Sequence, residues 1–168
     1  MIIHRRIRAL VAVSLLAAGT AAHAGDTLVT SEALSADSAL KLARAAQQAC
    51  RGKNLQVTVA VVDRAGAPQV VLRDQLAGNF TYEIALRKAR TAAGMRRPTS
   101  ELVQAMAQRP IIASLQGVDG ILILGGGVPV EHAGKVIGAV GVSGAPSADD
   151  DHACAQAGIS ALVEDLDS

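Results

Sequence analysis

The chain has 168 residues, 16 basic and 15 acidic side chains, a formal net charge of +1 and a hydrophobic half. That length fits one ordinary domain, able to bury about two-thirds of the unfolded chain's surface without a disulfide or a metal. Phe80 and Tyr82 are the only aromatic residues; with no row of rings for base stacking and no strong basic field for phosphates, the composition argues against a nucleic-acid partner.

Met1 to Ala24 opens with Arg5, Arg6 and Arg8, continues through an apolar run from Ala9 to Ala18 and closes on Ala22-His23-Ala24. This is the three-part pattern of a secretory signal cut before Gly25, and it predicts a periplasmic or secreted protein. The apolar run is too short to span a bilayer, so no stable membrane insertion is expected after cleavage. The cut removes three arginines and no acid, which turns the net charge to −2 and leaves His132 and His152 as the only histidines. Cys50 and Cys154 both remain. An oxidising compartment allows a bond between them, but their alanine-rich settings equally suit small buried hydrophobes, and the sequence leaves both open.

Residues 25–34 read as a flexible polar arm and residues 35–168 as one domain. Ser35 is a candidate N-cap for a helix to about Cys50, with Ala39, Leu42, Ala43 and Ala46 at helical spacing and Arg51-Gly52 closing it. Two extended runs follow, Gln56 to Asp63 and Gln69 to Arg73, joined by turn residues and read as a hairpin. The first is almost wholly apolar and is expected to lie centrally in a sheet.

Asn79 is placed to cap a second helix ending at Ala93 before Gly94, and Pro98-Thr99 to open a third, to about Gln108. A strand-rich section comes next: Ile121 to Leu124, the glycines Gly125, Gly126 and Gly127, Val128 to Glu131, and Val136 to Ser143. Ser147 with Asp150 then forms a capping arrangement for a last helix striped by Ala155, Ile159 and Leu162. Short connections of this kind predict a mainly antiparallel sheet with helices packed on it.

The triple glycine invites a phosphate-loop reading, but no Walker pattern accompanies it and a strand, not a helix, follows. A tight turn or bulge and a close approach to a ligand are both open. Gly141-Val142-Ser143-Gly144-Ala145 falls one glycine short of a nucleophile elbow, and close packing of a small-residue strand explains it better. His152 lies among Asp149, Asp150 and Asp151, which also suit a helix N-terminus without any metal. Arg87, Lys88, Arg90, Arg96 and Arg97 form a basic cluster able to receive the carboxylates of an anionic ligand, or simply a solvated face.

Taken together, Val59 to Asp63, Ala85 to Ala92, Gly125 to Val130 and Val136 to Gly144, followed by Asp151 and Cys154-Ala155, resemble the HbpS-like family, also called GlcG. Its members include an extracellular haem-binding and haem-degrading protein and the C-terminal domain of PduO proteins. The resemblance covers Leu34 to Leu162. It implies a profilin-like α/β (α+β) fold, a five-stranded mainly antiparallel sheet flanked by helices, assembled into homo-oligomers that include octamers.

The resemblance also implies an exported protein that binds haem or a related tetrapyrrole near its surface and assists its degradation. Asp63, Lys88, Gly125, Gly126, Gly127, Pro129, Ser143 and Asp151 match the family's motif positions and imply a ligand cleft between the sheet and the second helix. Arg87 and Lys88 would take the propionates. His132 and His152 are the metal-ligand candidates, with Met95 and Tyr82 as further chemical possibilities. Ala145 stands where the family often has glycine. Two other readings stay open: an enzyme or accessory factor for a small carboxylate metabolite, with Lys88 as anion anchor and Asp151 as acid/base, and a corrinoid-binding domain.

Overall fold

Among the described residues, four strands and four helices follow one another in an order set by where the chain is apolar on one face and where on two. The computed structural model describes residues 31–166, with side chains through Val163; the signal-like segment and most of the arm lie outside the described residues. From Glu32 onward the chain forms one unit. Its elements are α1 (Ala36–Arg51), β1 (Thr58–Asp63), β2 (Pro68–Arg73), α2 (Thr81–Met95), α3 (Thr99–Gln108), a 3₁₀ segment (Pro110–Gly117), β3 (Gly127–His132), β4 (Lys135–Ser143) and α4 (Ala148–Leu166). The sheet order is β2-β1-β4-β3, and every pair is antiparallel.

Side chains alternate across a strand, and here both faces of the central strands are covered. Val59 and Val61 of β1, with Val140 and Val142 of β4, meet Leu42, Ala43 and Ala46 of α1 and Ala155 and Leu162 of α4. Ala60, Val62 and Ala139 point the other way, onto Ala85, Leu86, Ala89 and Ala92 of α2. Two-sided burial accounts for the unbroken apolar run of β1, which lies centrally as expected. The α2 side is packed backbone to backbone. A Cβ on Gly141 would run into the Ala85 carbonyl oxygen and the Ala89 nitrogen, and one on Gly127 into the Lys88 carbonyl oxygen.

The caps at Ser35 and Ser147 form as read from sequence. The Ser35 hydroxyl accepts from the Ser38 N–H at 3.1 Å, and the Ser147 hydroxyl accepts from the Asp150 N–H at 3.0 Å while donating to its carboxylate at 2.7 Å. Asn79 does not cap α2. The helix starts at Thr81, whose hydroxyl donates to the Gly78 carbonyl, and it runs through Gly94 to stop at Arg96, left-handed at φ 53. One helical glycine costs only about 1 kcal/mol, whereas Pro98 disfavours helical geometry at the residue before it.

The sheet of the described residues has four strands, not five, because Ile121 to Leu124 forms no strand. Side chains of α2 take its backbone groups instead: the Leu122 N–H donates to the Thr91 hydroxyl at 2.8 Å, and Arg87 donates to the Ile121 carbonyl at 2.6 Å. An apolar run bound sideways to a helix looks, in sequence, like one bound to a strand.

Cys50 of α1 and Cys154 of α4 form a disulfide, with Cα atoms 5.5 Å apart and 104 positions between them in sequence. Both are buried, and they tie the two helices on one face of the sheet. Closing so long a loop restricts the unfolded chain strongly. The Cys50→Ala/Cys154→Ala variant is expected to lose about 2–5 kcal/mol of unfolding free energy in urea melts, with its native far-ultraviolet circular dichroism retained.

Candidate functional site

Where β4 ends and α4 begins, a cleft of about 290 Å³ opens toward α2. Its lining includes Ile84 and Lys88 of α2, Leu124 of the preceding loop, Ser143 at the end of β4, Pro146 in the connection and Asp151 in the first turns of α4. Ile84 and Lys88 are one turn apart and so share a helix face. Ser143 falls on the α2 side of the sheet, opposite Thr58 of β1. The Thr58 hydroxyl in turn bonds that of Thr81 at 2.7 Å.

The centre of this site is an ion pair taken almost wholly out of water. Lys88 Nζ lies 2.8 Å from Asp151 Oδ2 and donates to the Val142 carbonyl at 3.0 Å; the two side chains are 1% and 5% exposed. The other Asp151 oxygen accepts the Ala145 N–H at 3.0 Å. Burial holds the Lys88 ammonium below its usual titration range against the opposing pull of Asp151. Burial likewise pushes the Asp151 carboxyl above its usual range, although Lys88 and the Ala145 N–H favour its charged form.

The candidate residues divide between this cleft and other tasks. Lys88, Ser143 and Asp151 come together in it. Gly125, Gly126 and Gly127 pass behind it as packing glycines: a Cβ on Gly126, at φ 114, would lie 2.9 Å from Lys88 Nζ and 2.8 Å from the Val142 oxygen, and one on Gly125 would press on Ala148 at 3.1 Å. Asp63 sits at the opposite end of β1, its carboxylate accepting the Ala65 and Ala67 N–H groups to hold the β1–β2 turn. Pro129 pairs with Ala139 inside the sheet, on the edge strand β3, where a missing N–H is tolerated.

The basic cluster of α2 is largely committed within the chain. Arg87 holds Ile121, Lys88 holds Asp151, Arg90 donates to the Gly66 carbonyl at 3.1 Å and Arg97 pairs with Glu101 at 3.5 Å.

His132 and His152 are not brought together. His132 is at the β3–β4 hairpin, its Nδ1 3.2 Å from Glu32. About 26 Å of β4, eight steps of roughly 3.3 Å, separate the Lys135 end of that strand from Ser143. His152 follows Asp151 on α4, with Nδ1 buried and unpartnered. Among the described residues no group of three or more His, Cys, Asp or Glu side chains is arranged to hold a metal ion. Ile84, Leu124 and Pro146, which wall the cleft, went unread in sequence because nothing marks one apolar residue as facing a cleft and another as facing the core.

Residues 34–160 match the family described as haem degrading protein, HbpS-like. The chain belongs to that family. The crystal structure of HbpS superposes with a TM-score of 0.76 at 44% identity, covering 81% of this chain and 94% of that one. The PduOC haem complex gives 0.69 at 33% identity, covering 77% and 94%. The GlcG protein of Escherichia coli is 35% identical over 117 residues, 66% of this chain and 81% of its own length. This agreement in fold makes the mixed α/β architecture with its antiparallel sheet a family property.

Removing one partner of a buried pair strands the other charge, which costs about 3–5 kcal/mol. Lys88→Met and Asp151→Asn are each expected to destabilise the fold by that order. The double variant should lose clearly less than the sum, as measured in a urea double-mutant cycle.

Proposed function

We propose that this chain is an exported haem-binding protein that assists haem breakdown. Two things support the reading: membership of a family described by haem degradation, with a relative solved as a haem complex, and one feature of this chain's surface. Its only two aromatic rings are both outside the core, two positions apart at the start of α2. Phe80 is 78% exposed and Tyr82 41%, with Leu76 just before them at 80%. Arg73 stands at the foot of the same loop, donating to the Ala77 carbonyl.

These residues fit a tetrapyrrole. Apolar side chains suit the face of the macrocycle, an exposed guanidinium suits a propionate, and a tyrosine phenol is an established type of axial donor to haem iron. Bound haem would supply the redox chemistry. The chain's part is to hold the ring by one face and leave its other side open to solvent. A second reading of the iron donor rests on His132, whose Nδ1 shares a hydrogen bond with Glu32, an arrangement that fixes the tautomer and frees Nε2 for a metal. His152 offers only a part-buried ring.

Haemin added to the purified protein is expected to give a saturable Soret shift. Phe80→Ser should weaken binding about tenfold, and Tyr82→Phe should change the ferric spectrum at low haemin. Loss of that spectrum in His132→Ala or His152→Ala alone would move the iron to that histidine. No Soret shift with the unaltered protein would end the haem reading.

Export is supported by the signal-like first 24 residues and by the Cys50–Cys154 bond, which fits an oxidising compartment. Self-association is supported by the segment Pro110–Gly117, which contains two isoleucines and a leucine and buries none of its residues; Ile111 is 75% exposed and the adjoining Val118 52%. A second copy of the chain is the partner assigned to it. By light scattering the unaltered protein should be an oligomer, octamers being the size the family resemblance implies. Ile111→Lys combined with Val118→Lys should lower its mass.

A further inference from the structure

The cleft contains a polar group that the fold does not use. Ser143 is 5% exposed, lines the cleft and makes no hydrogen bond through its hydroxyl among the described residues. Its oxygen is not among the fully buried unpartnered side-chain atoms of the described residues, so it opens into the cleft, where a ligand can supply the partner. Beside it, Lys88 has three N–H donors and two acceptors, the Val142 carbonyl and Asp151. Val142 is the residue before Ser143, so the free donor of Lys88 and the free hydroxyl belong to one stretch of floor.

Two donors in one small space call for an oxygen with two lone pairs. The charges decide which kind. The Lys88 charge is already matched by Asp151 at 2.8 Å, and the positive N-terminal end of α4 is already faced by Asp149, Asp150 and Asp151. A further carboxylate would enter with no unmatched cation to meet it and with the Asp151 carboxylate nearby to repel it. Ile84, Leu124, Ala145 and Pro146 make the walls apolar, and the volume of about 290 Å³ is at the lower end of ligand pockets.

We propose that this cleft binds a small neutral carbonyl compound, an aldehyde, ketone or amide, whose oxygen accepts from the Ser143 hydroxyl and the spare N–H of Lys88. The inference is independent of the haem reading and differs from a carboxylate site in the charge of its ligand.

Isobutyramide and isobutyrate are matched in shape and differ in charge, so they serve as probes in ligand-observed NMR titrations of the unaltered full-length protein and Ser143→Ala. Isobutyramide should bind saturably, and isobutyrate at least about tenfold more weakly. Ser143→Ala should weaken isobutyramide by about tenfold while leaving Tm nearly unchanged, since the hydroxyl bonds no other group of the described residues. Haemin binding should be the same in both proteins. Equal affinity for the two probes, an unchanged affinity in Ser143→Ala, or no saturable binding of isobutyramide would each overturn the proposal. A joint loss of haemin and isobutyramide binding in Ser143→Ala would put one ligand in both roles and overturn the separate site.

Discussion

The buried pair of Lys88 and Asp151 is the constraint around which the molecule is arranged. It joins α2 to α4, with the backbone of β4 as a third party through the Val142 carbonyl. Two charges removed from water are tolerable only when the remaining polar atoms are matched too, and here Asp151 gains the Ala145 N–H as well. That demand fixes the loop between β4 and α4, which must bring the Ala145 nitrogen within reach of a carboxylate six residues on. It also fixes the glycine run, since a side chain on Gly126 would occupy the space of the ammonium itself.

Close approach extends from the pair across the whole α2 face. Helix backbone lies on strand backbone at Gly141 and Gly127, and the layer between is made of alanines from both sides. Such a layer has no room for a ring. On the opposite face α1 and α4 are pulled together by the disulfide over a layer of valine, leucine and alanine. The scarcity of aromatics is therefore a consequence of how thin the layers are. A protein that excludes rings from both interfaces has a different reason for the two it keeps, and both are at the surface at the start of α2.

The fold was legible wherever one residue decides one feature. Ser35 and Ser147 marked helix starts because a hydroxyl at that position has a single local use, and the valine-rich β1 marked a strand covered on both faces. What escaped depended on a partner far away in sequence. Ile121 to Leu124 has the composition of a strand, but Thr91 and Arg87, some thirty residues earlier, claim its backbone. Asp74 reads as a loop residue, yet it is buried, accepting the Val57 N–H at 2.8 Å and pairing with Arg51. Around the cleft, Lys88, Ser143 and Asp151 were named through the family resemblance, and they do line one depression. That Lys88 and Asp151 satisfy each other was not legible, because a lone lysine and a lone aspartate 63 positions apart carry no mark of pairing.

That mutual satisfaction changes what the site can recognise. As separate residues, a lysine would attract an anion and an aspartate would move a proton. As a closed pair they present no net charge, and the cations within reach of an acidic ligand are surface groups such as Arg73, which bonds the Ala77 carbonyl, and Lys135, 70% exposed and 3.7 Å from Glu32. Recognition of charge is thus displaced to the exterior, where water screens it and long side chains adjust. Recognition of shape and hydrogen bonding stays inside the cleft, where Ser143 is held by its strand and cannot move away to find another partner. A large anionic ring and a small neutral molecule would accordingly be met by different parts of one surface, on opposite terms of solvation.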